Sequence, residues 1–185
     1  KKNIPNLFIV GKQKSGTSGL YDMLRKHPDI YMPGRKENGF LNKDNTLGDI
    51  RTKKDYLNLF KEAKNEKYIG EASAGNLDSK TAAREIRKLN SDAKIIIMLR
   101  EPLEYLRSLY QHSSLRGKEK RPVDDFLRSK EVLMKLKYSS QIKRYLKNFD
   151  NKNIKIIIYE DFKKDNFKTF KRVCNFLDVD SDFIP

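Results

Sequence analysis

The residues with the most chemistry to offer stand together in Gly11-Lys12-Gln13-Lys14-Ser15-Gly16-Thr17-Ser18, where two lysines, three hydroxyls and two glycines share eight positions. The apolar run Leu7-Phe8-Ile9-Val10 precedes them, and a helical pattern from Thr17 to about Lys26 follows. In a strand–loop–helix unit of this kind, backbone N–H groups and the positive end of the helix bind phosphate-like anions. Lys14 brings an ammonium to such an anion from the loop, with Ser15, Thr17 and Ser18 as hydroxyl donors around it. A second cation, Arg100, directly follows an apolar strand pattern, and ligands of open α/β sheets gather at the C-terminal ends of strands. Two carboxylates, Glu37 and Glu71, and two histidines, His27 and His112, are the candidates for moving protons.

The loop comes close to the nucleoside-triphosphate motif G-x-x-x-x-G-K-[ST] and departs from it at one informative place. Thr17 stands where that motif needs lysine, the lysine comes earlier at Lys14, and Arg100 follows the 94–99 run in place of an acidic Mg²⁺ partner. A metal-free anion site carried by cations therefore fits better than a Mg-nucleotide site.

Around these residues, short apolar runs alternate with longer helical patterns, which predicts a parallel sheet covered by helices. Strands are expected over 7–10, 68–70, 94–99 and 154–159. Helices are expected over 17–26, 53–63, 79–89, 102–116, 123–128, 132–149 and 167–177. With 185 residues, no internal repeat and no linker composition, the chain reads as one domain over 1–185. Its 40 Lys+Arg against 25 Asp+Glu give a net charge of +15, a surface that draws nucleic acid, anionic membrane, acidic glycans or nucleotide phosphates alike. Cys174, the single cysteine, lies in an apolar helical pattern; an intrachain disulfide and a thiolate metal cluster are excluded. No run approaches the roughly 20 apolar residues of a membrane span, and no signal-peptide pattern opens the chain.

Lys14-Ser15-Gly16-Thr17-Ser18 resembles the K-S/G-G-T-T/S loop of sulfotransferases that use 3′-phosphoadenosine-5′-phosphosulfate (PAPS). The continuation Leu20…Leu24…His27-Pro28-Asp29-Ile30 is similar to the H-P-x-I segment of carbohydrate sulfotransferases. The stretch from Arg100 to Tyr110 resembles the second motif, R-x-P-x-x-R-x-x-S-x-Y, with Tyr105 where an arginine is usual and Arg107 a displaced substitute. Gly70-Glu71-Ala72-Ser73 is similar to the G-E/D-x-S-P segment, with Ala74 where proline is usual. Tyr138 to Phe149 resembles the acceptor-side G-x-Y-x-x-x-L-x-x-W/Y segment; Tyr159-Glu160-Asp161-Phe162 and Phe176-Leu177-Asp178-Val179 resemble family endings read as structural.

The resemblance implies an α/β, three-layer P-loop-like fold with a central parallel β-sheet flanked by helices. It implies Lys14 at the oxygen bridging phosphate and sulfate, and Ser15, Gly16, Thr17 and Ser18 on the 5′-phosphate. Arg100 and Ser108 fall to the 3′-phosphate, and no metal is required. The family's C-terminal basic, glycine-containing loop that closes over the donor has no counterpart before Pro185, so that loop is either truncated or lacking in this sequence.

Arg35-Lys36-Glu37-Asn38-Gly39-Phe40-Leu41 resembles the K-E-x-H/x-F-F segment of heparan-type and bacterial sulfotransferases, which makes Glu37 the implied general base. Its flanking cations lower a carboxylate's pKa, and desolvation must offset them for Glu37 to act. Glu71 and His112 stand as alternatives; His27, just before a helix-ending proline, reads as structural.

The expected reaction is in-line transfer of a sulfuryl group from PAPS to a hydroxyl or amine of a saccharide or small hydroxylated metabolite, leaving adenosine 3′,5′-bisphosphate. The rivals are a P-loop nucleotide kinase, which binds ATP with Mg²⁺, and a non-catalytic polyanion binder, whose affinity falls steeply with salt. Few aromatics interleave with the basic runs, so nucleic acid is not an expected partner. A cytoplasmic, bacterial setting is favoured, with the Golgi lumen the alternative for a chain trimmed of a native anchor; the oligomeric state is open.

Overall fold

The computed structural model describes residues 3–44 and 48–185. Strands β1 (Leu7–Gly11), β2 (Ile30–Tyr31), β3 (Tyr68–Ala72), β4 (Lys94–Leu99) and β5 (Ile154–Ile158) pair in parallel in the order β2-β3-β1-β4-β5. β1, in the middle, is buried along its whole length; a strand covered on both faces has no polar side. Parallel neighbours need crossovers, and helices supply them: α1 (Thr17–Leu24), α2 (Lys53–Asn58), α3 (Ala82–Leu89), α4 (Pro102–Leu115), α5 (Val123–Arg128), α6 (Lys130–Lys135), α7 (Tyr138–Leu146), α8 (Tyr159–Lys164) and α9 (Asn166–Leu177).

Side chains alternate across the sheet, so each strand feeds two cores. Leu7, Ile9, Ile96, Met98 and Ile157 pack with Leu20 and Leu24 of α1 and with Phe170, Val173 and Leu177 of α9. Phe8, Val10, Ile95, Ile97 and Leu99 pack with Tyr56 of α2, Ile86 of α3 and Tyr145 of α7. A smaller cluster of Tyr105, Leu106, Leu109, Phe126 and Val132 joins α4, α5 and α6. This is the three-layer α/β fold with a central parallel sheet that the sequence predicts.

Several boundaries differ from expectation: the helix expected over 53–63 ends at Asn58, and the strand expected over 68–70 runs on to Ala72. The single helix expected over 132–149 is two, α6 and α7, because Val132 belongs to the α4–α6 cluster while Tyr145 belongs to the sheet; one straight helix cannot serve both. Tyr159 opens α8 instead of ending β5. The two-residue β2, paired with Tyr68 and Ile69, is too short to leave a period-2 pattern. At α4 the start is firmly set: Glu101 accepts the Glu104 N–H at 2.8 Å and Pro102 is the first helical residue.

Candidate active site

β1, β3, β4 and β5 run parallel and so end at one edge of the sheet; the residues singled out for anion binding follow the ends of β1 and β4. Gly16 turns the loop into α1 at φ 81°, and a Cβ there would lie 2.8 Å from the Tyr159 ring, so only glycine fits beneath α8. Lys14 is exposed and itself left-handed, at φ 63°.

Arg100 Nη1 donates to the Lys14 carbonyl at 2.9 Å, which seats the guanidinium against the backbone of the loop. The Arg100 guanidinium lies 4.7 Å from the Tyr159 ring centroid, with Glu104 at 3.5 Å and Glu160 at 3.9 Å from its nitrogens. The Tyr159–Phe162 segment, expected to be structural only, thus also braces Arg100. Among the described residues, Ser15 Oγ and Arg100 Nε are buried without a hydrogen-bond partner. Native proteins rarely leave such groups without a partner. Thr17 is the buried first residue of α1, and Ser18 Oγ accepts from Lys36 Nζ, which ties the 35–38 segment to the loop.

Ser108 is half-buried two turns along α4. Arg107 does not stand in for the missing arginine: it is 71% exposed and pairs with Glu104 at 3.8 Å. Tyr105 is buried instead, its ring centroid 5.4 Å from Lys12 Nζ, with the Tyr138 ring at 5.3 Å on the same amine. Lys12 is fully enclosed, ion-paired with Asp78 and hydrogen-bonded to Gln141 Oε1 at 3.2 Å. Gln141 Nε2 closes the triangle on Asp78 at 2.8 Å. Burial lowers the Lys12 pKa, and Asp78 opposes that. The sequence reading passed over this cluster; its only trace is a lysine directly after a buried strand, matched by a tyrosine in place of an arginine.

Glu37 has φ 55°; its N–H donates to the Ala72 carbonyl at 3.0 Å, and its carboxylate accepts the Ala74 N–H at 2.8 Å. The residue's surface is open, yet its carboxyl is seated against the 74–75 backbone. Desolvation there raises its pKa, opposed by the N–H groups of Ala74 and Gly75 and by Lys36. Desolvation thus offsets the flanking charge, as the base reading requires, and of the two flanking cations only Lys36 opposes it because Arg35 turns away to Asp49.

Glu71 is only 1% exposed and accepts from Tyr56 at 2.7 Å, Ser73 Oγ at 2.6 Å and Asn76 Nδ2 at 3.4 Å; burial raises its pKa. The half-buried His112 is held below the ordinary imidazole range by desolvation and by the charges of Arg116, Lys14 and Lys118. His27 is structural: Nε2 meets the Asp180 carbonyl at 2.9 Å, Nδ1 accepts the Asp29 N–H at 3.1 Å, and Phe183 packs on the ring.

Comparison with known proteins agrees with this fold. The sulfotransferase from Alicyclobacillus acidocaldarius superposes with a TM-score of 0.88 at 32% identity, over 98% of this chain and 83% of that one. Mouse carbohydrate sulfotransferase 15 is 30% identical over 66% of this chain and 29% of its own length. Mouse sulfotransferase SULT7A1, crystallised with PAP, shares the fold at a TM-score of 0.64 and 21% identity, over 95% of this chain and 59% of that one. The chain spans only about a quarter of the curated relatives it matches, 23% and 29% of the first two. No helix among the described residues is long and apolar enough to cross a membrane. The sulfotransferase-domain model matches residues 5–183, and the chain belongs to the sulfotransferase family.

Proposed function

We propose that the chain transfers a sulfuryl group from PAPS to a hydroxyl or amine of an acceptor by in-line displacement. The observation that carries this reading is the contact between Arg100 and the Lys14 carbonyl, flanked by the open donors Ser15 Oγ and Arg100 Nε. Adjoining cations of this kind suit a nucleotide whose 5′ and 3′ phosphates flank a single ribose, with Ser108 supporting Arg100 from α4.

The donor supplies a reactive S–O bond to its phosphate. As that bond breaks, the Lys14 ammonium and the loop N–H groups neutralise the charge gathering on the bridging oxygen. The Glu37 carboxylate takes the acceptor's proton as the new O–S or N–S bond forms, and adenosine 3′,5′-bisphosphate departs. A base raised by burial accepts a proton more readily than an ordinary surface carboxylate. No residue in this scheme requires a metal. A saccharide is the favoured acceptor, in line with the carbohydrate and heparan sulfate sulfotransferases among the relatives.

Calorimetry tests the reading directly. Adenosine 3′,5′-bisphosphate is expected to bind saturably, and more tightly than ATP with Mg²⁺ or a single-stranded RNA of equal charge. Preference for ATP with Mg²⁺, or salt-sensitive RNA binding with none for the bisphosphate, overturns it.

A further inference from the structure

Glu71 is a carboxylate of this edge that the proposed chemistry leaves unused, and its surroundings are unusual. It is enclosed near the end of β3 with no cation within ion-pair distance among the described residues; neutral donors on Tyr56, Ser73 and Asn76 satisfy it. An enclosed carboxylate without a counter-ion is costly, and a fold that keeps one holds it through its hydrogen bonds.

Two of those donors are the ends of one structural unit. Ser73 precedes the 3₁₀ turn Ala74–Asn76, and Asn76 closes it. The N–H groups of Ala74 and Gly75, inside that turn, receive the Glu37 carboxylate. The Ser73 N–H is tied in turn to the Ile9 carbonyl of β1 at 3.0 Å, one strand residue before the anion loop.

We propose that Glu71 is a positioning residue for Glu37 and takes no proton from the acceptor: its carboxylate clamps both ends of the 73–76 turn, and the turn's N–H groups aim Glu37. The inference rests on the reading of Glu37 as the base. Access argues the same way, since at 1% exposure Glu71 offers no path to an acceptor hydroxyl. The charged and titratable groups around the pair are Lys36 beside Glu37, and Tyr56 of α2 and Tyr145 of α7 around Glu71. The Glu37 charge adds to burial in making Glu71 harder to ionise.

The test is steady-state sulfuryl transfer from PAPS as a function of pH, with bisphosphate calorimetry, for Glu71→Gln, Tyr56→Phe and Glu37→Gln. Glu71→Gln is expected to lower kcat roughly 10- to 100-fold through misaim of the base, with bisphosphate Kd and acceptor KM within about twofold of the parent. Tyr56→Phe removes one of three donors and is expected to lower kcat less, in the same direction; it carries the test if Glu71→Gln does not fold. An acid limb abolished in Glu71→Gln while Glu37→Gln keeps its own makes Glu71 the base and overturns the inference, as does an unchanged kcat in both Glu71→Gln and Tyr56→Phe. A parent protein that fails to bind the bisphosphate, or full activity in Glu37→Gln, overturns the functional reading itself.

Discussion

Lys12 and Lys14 stand two residues apart in one loop and have opposite fates. Lys12 is fully enclosed, paired with Asp78 and roofed by Tyr105 and Tyr138. Lys14 is exposed, in a left-handed conformation that turns its carbonyl to Arg100. The first charge serves the fold, joining the end of β1 to α4, α7 and the segment after β3. The second is exposed, and the proposed function assigns it to the ligand. A loop that must approach an anion closely needs both: one cation to hold it down and one to present.

Breaking each lysine's role in isolation gives separable outcomes. Lys14→Ala is expected to lower kcat for sulfuryl transfer roughly 10²–10³-fold, the scale of losing one transition-state donor. Its thermal midpoint is expected to stay within about 2 °C of the parent, since an exposed side chain is removed. Calorimetric scanning beside the assay checks both halves, and a collapse in stability would erase the distinction between the lysines.

Asp78→Ala acts on the other member. Stranding the Lys12 ammonium in a buried site is expected to cost about 3 kcal/mol of folding stability, the low end for a broken buried pair because Asp78 is itself one-third exposed. Lys12→Met together with Asp78→Ala is expected to recover part of that loss, because no charge is then left unpaired. Chemical denaturation of both variants measures it; a double variant weaker than Asp78→Ala alone would show that the amine contributes more than its pairing.

Arg100→Ala sharpens the comparison from the ligand's side. Losing a charged donor is expected to weaken bisphosphate binding by roughly 1.5–3 kcal/mol, about 10- to 150-fold. Unchanged affinity in calorimetry would remove Arg100 from the ligand site and leave its contact with Lys14 as loop support alone.

The contrast also explains what could be read from the chain. β1, β4 and the start of α4 were legible because apolar runs, Pro102 and Arg100 mark their ends locally. The loop and Glu37 were legible because a short motif fixes them. Lys12 was not, because its partners Asp78, Tyr105, Tyr138 and Gln141 lie 66, 93, 126 and 129 positions away, and no local pattern distinguishes a buried lysine from an exposed one. The pKa balance at Glu37 was legible in part: desolvation, which had to offset the flanking cations, does so, while the turn of Arg35 to Asp49, leaving only Lys36, was not readable locally.

Glu71 is the acidic counterpart of Lys12, and the two differ in how they are satisfied. Lys12 has a counter-ion; Glu71 has only neutral donors, so its charge is the less compensated. Burial holds the folded-state pKa of Glu71 above the ordinary carboxylate value. The native chain therefore keeps this proton at pH values where the unfolded chain has lost it. Stability from this group is present below the unfolded-state pKa and is lost as pH rises through the raised one. Thermal midpoints of the parent and Glu71→Gln, followed from pH 4 to pH 8, are expected to diverge, the parent losing ground to the variant as pH rises. A gap that stays constant, or that favours the parent more at high pH, would mean the carboxylate is better compensated than its hydrogen bonds suggest. At the alkaline end Lys12 slopes the other way: its folded-state pKa lies below the ordinary lysine value, so the penalty for its burial eases as pH climbs through that lowered pKa.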